Sequence, residues 1–100
     1  MTPSTPLAVA RIELEILSIM DRGTPEEYRG GYFFPFKFFE DKIAIDREVL
    51  RGFMRSLRNR GVTQYGTGFT DGGLVNGAGY TMTLAGFTYL AGLLAVFDPD

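Results

Sequence analysis

The sequence predicts one small α+β domain that is mostly helical, and three observations support this prediction. The chain has 100 residues, which suffices for one domain with a modest core. Apolar residues recur at helical spacing in several stretches. A glycine-rich segment at 66–79 separates two short stretches of strand-forming residues. We expect a single domain over 7–97, a flexible arm at 1–6 and a tail at 98–100.

The clearest helix prediction covers 46–60. One face of this helix is apolar and consists of Leu50, Phe53, Met54 and Leu57. A second stripe consists of arginine alone, at Arg47, Arg51, Arg55 and Arg58. Asp46 is a suitable N-cap, because its carboxylate can accept hydrogen bonds from the free amides of the first turn. Gly61 is the expected left-handed residue that ends the helix.

The arginine stripe has two interpretations. It can be the solvated rim of an amphipathic helix, or it can bind phosphate or guanine, for which the planar guanidinium group is suited. The net charge of the chain is −2. Its distribution is uneven, since residues 37–60 have a net charge of +3, whereas 1–36 and 61–100 have −2 and −3. Confinement of the positive charge to the middle segment favours the second interpretation.

The chain before this helix predicts further helical segments. A first helix at 7–21 places Glu13 and Glu15 off its core face. That face consists of Ile12, Ile16, Ile19 and Met20. Residues 24–27 have the pattern of a capping box and predict one short helical turn. A short helix at about 35–43, a turn, and the helix from Asp46 together have the spacing of a helix–turn–helix, whose second helix enters the major groove.

An aromatic stretch at 32–39 contains six aromatic residues in eight positions. These side chains can fill the core of a small domain. Alternatively, Phe33, Phe34 and Phe38 can form an exposed patch that binds a partner protein or stacked bases. Phe38 is the expected exposed member, because it lies off the core face of the short helix.

After Gly61 the sequence predicts two strands, at 62–65 and 79–83, joined by a long flexible hairpin loop. The loop at 66–79 contains six glycines, no basic residue and Asp71 at its expected tip.

A last helix follows, with Thr83 as its expected N-cap. No residue from Thr81 to Phe97 is charged, so we expect this helix to need cover on both sides. Either the strands and the first helix cover it, or a second copy of the chain packs on it as a homodimer. The candidate dimer interface consists of Ala85, Tyr89, Gly92 and Val96.

Taken together, these segments resemble a winged helix-turn-helix domain. The motifs are "RNRGVTQY" after the arginine-bearing helix, a glycine-rich hairpin, and "GYTMTLAGFTYL" into the last helix. They are similar to those of MarR-type and PadR-type bacterial regulators, over roughly residues 7–97. The resemblance implies that the outward positions of helix 46–60 face DNA. With Arg58 from the arginine stripe, the candidate DNA-binding residues are Arg47, Glu48, Arg51, Gly52, Arg55, Ser56, Arg58 and Asn59. The hairpin departs from the pattern, because such wings often carry an arginine or lysine and this one has none.

Composition excludes most catalytic chemistry. The chain has no histidine and no cysteine, so it lacks Ser/His and Cys/His pairs and the commonest metal ligands. The two Gly-x-Gly sequences in the hairpin do not lie between a strand and a helix, as a nucleotide fingerprint requires. We therefore expect no enzyme activity, no cofactor and no metal. We also expect a cytoplasmic protein without a membrane span, because no secretory signal is recognisable and the apolar run at 82–97 is too short.

Two functions from different classes remain. The leading expectation is a small double-stranded DNA-binding protein, a transcriptional regulator that reads the major groove with helix 46–60. Within the stripe, mid-helix Arg51 and Arg55 are the candidates for base contact, and Arg47 and Arg58 for phosphate contact. The alternative is a winged-helix protein-binding module of phage or mobile-element origin, which inhibits or recruits a host protein such as a defence enzyme.

Overall fold

A computed structural model describes residues 7–24, 32–69 and 75–97. In these ranges the chain is α+β and mostly helical. Its elements follow in the order α1 (Leu7–Gly23), α2 (Phe36–Lys42), α3 (Arg47–Asn59), β1 (Thr63–Phe69), β2 (Val75–Met82) and α4 (Leu84–Phe97). The expected arm at 1–6, the helical turn after Thr24, Asp71 at the hairpin tip and the tail at 98–100 lie outside these ranges.

The long helix α3 confirms the sequence prediction at both ends and in its core face, except that Phe53 is only half-buried. Leu50, Met54 and Leu57 are fully buried. The carboxylate of Asp46 accepts hydrogen bonds from the amides of Glu48 and Val49, at 3.0 and 3.4 Å, which is N-cap geometry.

At the other end of α3, Gly61 has a φ of 77°. Its amide donates to the carbonyl of Arg58, and the amide of Val62 donates to the carbonyl of Leu57, both at 3.0 Å. This pair of hydrogen bonds is a Schellman motif, in which the left-handed residue is usually glycine. Val62 and Leu57 are both buried, as the hydrophobic contact of that motif requires.

The buried face of α1 is not quite the face that the sequence predicts. Ile16 and Met20 are buried as expected, but Leu17 is fully buried as well, and Ile12 is only half-buried. Glu13, expected off the core face, is 2% exposed. The reason is that α1 packs against α4, and the polar partners of Glu13 come from other elements.

The sheet consists of β1 and β2 in antiparallel pairing, from Thr63 opposite Met82 to Phe69 opposite Val75. Both strands are longer than predicted, because residues expected in the loop pair within the ladder. Gly66 lies opposite Gly79, for example. A register shift between Thr67 and Phe69 interrupts the ladder near its far end.

The segment before α2 pairs with the second strand, which the sequence did not predict. Phe34 and Tyr80 form an antiparallel bridge and exchange both backbone hydrogen bonds, at 2.7 and 2.8 Å. Gly79 permits this approach, since a Cβ there would lie 2.5 Å from the carbonyl oxygen of Phe34. Phe33 and Phe34 are consequently 7% and 3% exposed. Their expected role in an exposed partner patch is wrong; Phe34 belongs to the main core cluster.

Thr83 caps α4, as predicted. Its hydroxyl accepts a hydrogen bond from the amide of Gly86 at 3.0 Å and donates to the carbonyl of Gly61 at 2.6 Å. A single side chain therefore joins the start of α4 to the end of α3.

Candidate nucleic-acid interface

The outward face of α3 is the surface that the sequence predicts as a DNA-binding site. Its N-cap and its buried apolar stripe fix which side of the helix faces solvent. Arg51 is half-buried. The other predicted residues are exposed, namely Arg47, Glu48, Gly52, Arg55, Ser56, Arg58 and Asn59. The structure therefore brings the eight residues together on one helix with their side chains accessible, although the arginines differ in their surroundings.

The two arginines nearest the start of α3 contact α2. The guanidinium carbon of Arg51 lies 4.5 Å from the ring centroid of Phe36, and that of Arg47 lies 6.0 Å from the same centroid. Arg47 also forms an ion pair with Glu40, with 3.4 Å between Nε and Oε2. Phe36 and Glu40 lie four residues apart on α2, as Arg47 and Arg51 do on α3. Each pair therefore shares one face of its helix.

Arg55 and Arg58 are different, because the side chain of neither forms an ion pair or a hydrogen bond with another residue in the described ranges. Both are exposed. Their guanidinium groups therefore keep all five N–H donors and an unneutralised charge for an external acceptor.

Beside this face, a shallow cleft of about 280 Å³ separates α3 from α1. Val49, Gly52 and Ser56 line it from α3, and Val9 and Glu13 from α1. A Cβ added at Gly52 would meet no atom within 4 Å. At Gly52 the surface of α3 is therefore open, with no other part of the described chain packed on it.

A polar cluster around the buried carboxylate of Glu13 joins α1, the end of α3 and α4, and sequence analysis did not predict it. The carboxylate of Glu13 accepts hydrogen bonds from the guanidinium of Arg60 and from the hydroxyl of Tyr89. Arg60 also donates to the Tyr89 hydroxyl at 3.4 Å, and its guanidinium carbon lies 5.4 Å from the Tyr89 ring centroid. The available signals were a glutamate between Ile12 and Leu14 in α1, and a single tyrosine in an uncharged last helix.

Protonation in this cluster follows from its geometry. Burial raises the pKa of Tyr89, and donation of its proton to Glu13 raises it further, which outweighs the opposing effect of Arg60. Burial alone would lower the pKa of Arg60, but its hydrogen bonds to Tyr89 and Glu13 outweigh burial and raise it. Tyr89 is therefore a neutral donor and Arg60 a cation throughout the neutral range.

We predict that the Tyr89 hydroxyl stabilises the fold only below alkaline pH. A raised folded-state pKa contributes stability that is fully present below the unfolded-state value, 10.0, and is lost as pH rises through the folded-state value. Tyr89→Phe should therefore be less stable than the unaltered protein by about 1 kcal/mol at pH 8. The difference should shrink above pH 10, measured by chemical denaturation at several pH values. A difference that stays constant up to pH 11 would contradict the prediction.

The outward face of α4 is apolar, uncharged and exposed. Leu84 and Val96 are 87% and 64% exposed. Of the candidate dimer residues, Ala85, Gly92 and Val96 lie on this face. Tyr89 is half-buried, and its hydroxyl bonds to Glu13 rather than pointing away. The buried side of α4 consists of Gly86, Leu90 and Leu93.

Phe38, the remaining aromatic candidate, is half-buried. Its ring contacts those of Phe34 and Phe39 at 4.5 and 5.3 Å, and the ammonium of Lys42 lies 5.2 Å from its centroid. Most of the aromatic stretch therefore belongs to a connected cluster of rings around the bridge at Phe34. Phe38 alone cannot form the patch proposed from the sequence.

The described ranges contain no group of three or more acidic residues placed to hold a metal ion. Within the same ranges, no helix has both the length and the apolarity that crossing a bilayer takes.

In comparisons with known proteins, no family model, curated protein or solved structure matches the chain.

Proposed function

We propose that this chain is a small winged-helix protein that binds double-stranded DNA and regulates transcription, with α3 entering the major groove. One observation supports it above the others. Arg55 and Arg58 project from the exposed face of α3 without an ion pair in the described ranges, on a helix whose other side is fully buried. Cationic side chains in such a position can contact phosphates and guanine edges.

The order of elements supports the winged-helix part of the proposal. A short helix, a turn and α3 are followed by a two-stranded antiparallel hairpin and a last helix. Pairing of Phe34 with Tyr80 adds a third, minimal strand beside the hairpin. In this arrangement α3 corresponds to the recognition helix, and the hairpin, which lacks basic residues, adds little to affinity.

The proposal predicts large effects for the two unpaired arginines. Arg55→Ala and Arg58→Ala should each weaken binding to a selected duplex by about 1–3 kcal/mol. An arginine that contacts only phosphate should also reduce the salt dependence by about one unit of slope. The measurement is fluorescence anisotropy at several salt concentrations, with duplexes selected from a random pool. Circular dichroism should show that both variants fold.

Arg22→Ala is the matched control, since it removes the same charge from an exposed position at the end of α1. It should leave binding nearly unchanged. If Arg22→Ala weakens binding as much as Arg55→Ala does, the effect is one of overall charge and not of α3. If the unaltered protein binds no duplex even at low salt, the proposed function fails.

A homodimer through α4 is part of the proposal. The exposed face of α4 has no charged residue, so two copies can pack these faces together without burying an unpaired charge. Val96→Glu should place a charge in that interface and give a soluble monomer. Light scattering at high micromolar concentration measures the mass. Tyr65→Glu, at an exposed position of β1, is the control and should remain dimeric. A monomeric unaltered protein would refute the dimer.

A monomer would favour the second candidate function, a protein-binding module that recruits or inhibits a host protein. The same exposed apolar face of α4 is the observation that favours it. In this case Val96→Glu should abolish binding to the host protein, whereas Arg55→Ala should not.

A further inference from the structure

The contacts between α2 and α3 divide the arginine stripe into side chains with different roles. The side chain of Arg51 stacks on Phe36 at 4.5 Å and makes no ion pair or hydrogen bond within the described ranges. Arg47 shares its charge with Glu40 through the contact at Nε. Arg55 and Arg58 contact neither of these α2 residues.

Stacking and ion pairing affect a guanidinium group differently. A ring beneath the group interacts with its flat face, so that the five N–H donors at its edge stay available. An ion pair through Nε uses one donor and offsets the charge. Stacking also restricts the rotamers of a long side chain, so less conformational entropy is lost when it binds.

We infer that Phe36 is a positioning residue for Arg51, and that Arg51, held against α2, discriminates between bases by bidentate contact with a guanine edge. Glu40 holds Arg47 in a partly neutralised state, so Arg47 contributes little to affinity. This inference rests on the proposed DNA-binding function and adds to it which arginine carries sequence preference. Phe36 itself need not touch the duplex.

The experiment compares Phe36→Leu, which keeps apolar bulk but removes the ring, with Phe36→Tyr, which keeps the ring. Both are measured against the duplex selected by the unaltered protein and against single-base variants of it. Phe36→Leu should weaken binding to the selected duplex by about 3- to 30-fold. It should relax preference at one base position, with the salt slope unchanged because no charge is lost. Phe36→Tyr should bind like the unaltered protein.

A double-mutant cycle separates positioning from general stability. In the Arg51→Ala background, Phe36→Leu should have no further effect on binding, because the side chain it positions is absent. An equal loss in both backgrounds would overturn the inference, as would unchanged binding by Phe36→Leu. In either case the proposed function would stand. Absence of duplex binding by the unaltered protein would overturn both.

Thermal denaturation checks that the Phe36 variants fold. Should Phe36→Leu fail to fold, Arg51→Lys tests the same point, since lysine keeps the charge but has no planar group to stack or bind bidentately. Arg51→Lys should lose the base preference and keep the salt slope. Retained preference in Arg51→Lys would overturn the inference.

Discussion

Replacing Arg60 with methionine should destabilise the folded chain by about 3 kcal/mol, measured by denaturant unfolding at neutral pH. Methionine keeps an apolar stem of similar length but leaves the carboxylate of Glu13 without its cation. Glu13 is 2% exposed, so water compensates only in part for the lost partner. The expected loss of stability is at the low end for a broken buried pair, because the side chain of Arg60 is 40% exposed to solvent.

A second variant shows whether the buried charge is responsible. In the combined variant Arg60→Met with Glu13→Leu, no charge is left in the cluster, and stability should return to near that of the unaltered protein, since apolar replacement of a buried pair is often neutral. A loss below about 1 kcal/mol for Arg60→Met alone would show that Glu13 is hydrated in solution. A combined variant as unstable as the single one would show that packing of Arg60, and not its charge, is what matters.

Gly86→Ala should destabilise the chain by about 2–3 kcal/mol, as overpacking at a rigid contact does. A Cβ at Gly86 would lie 2.2 Å from the carbonyl oxygen of Val62 and 2.5 Å from the side chain of Met82. The nearer atom belongs to the backbone at the end of α3, so it cannot rotate away. The first turn of α4 would have to move, which would also break the Thr83 cap. Thermal unfolding measures the loss.

Gly92→Ala is the matched control, since it makes the same change six residues later on the same helix. A Cβ at Gly92 would meet no atom within 4 Å. Alanine there should stabilise the chain by about 0.5–1 kcal/mol, because it favours the helix and clashes with no atom of its own chain in the described ranges. Opposite signs for the two substitutions would show that contact with Val62, and not helix propensity, decides the outcome at Gly86. Destabilisation by both would refute this account.

The sequence predicted α3 almost completely, because every determinant of that helix is local. Its apolar residues recur at one period, and its N-cap and terminal glycine are adjacent in the chain. The same pattern located the outward residues, which are exposed except for the half-buried Arg51. It could not show that Arg51 stacks on Phe36, or that Arg47 pairs with Glu40, because those contacts join two helices across a turn.

Other features depend on residues distant in the chain and were missed for that reason. Glu13 bonds to Arg60 and Tyr89, at sequence separations of 47 and 76. Periodicity places a charged residue off the core face, so it assigned Glu13 to solvent. In α4 nearly every residue is apolar, and a uniform pattern has no period from which to choose a face. In the structure Leu84 is exposed, whereas Leu93 is buried.

The bridge between Phe34 and Tyr80 also has a consequence for how the chain folds. Its two hydrogen bonds close a loop that contains α2, α3 and β1, so α3 lies inside a ring that is closed at one residue pair. Closing a long loop loses conformational entropy before its contacts compensate, which slows folding. The ring should therefore close after α3 and the hairpin have formed. Amide protons of Phe34 and Tyr80 should then exchange with solvent only when the whole domain opens.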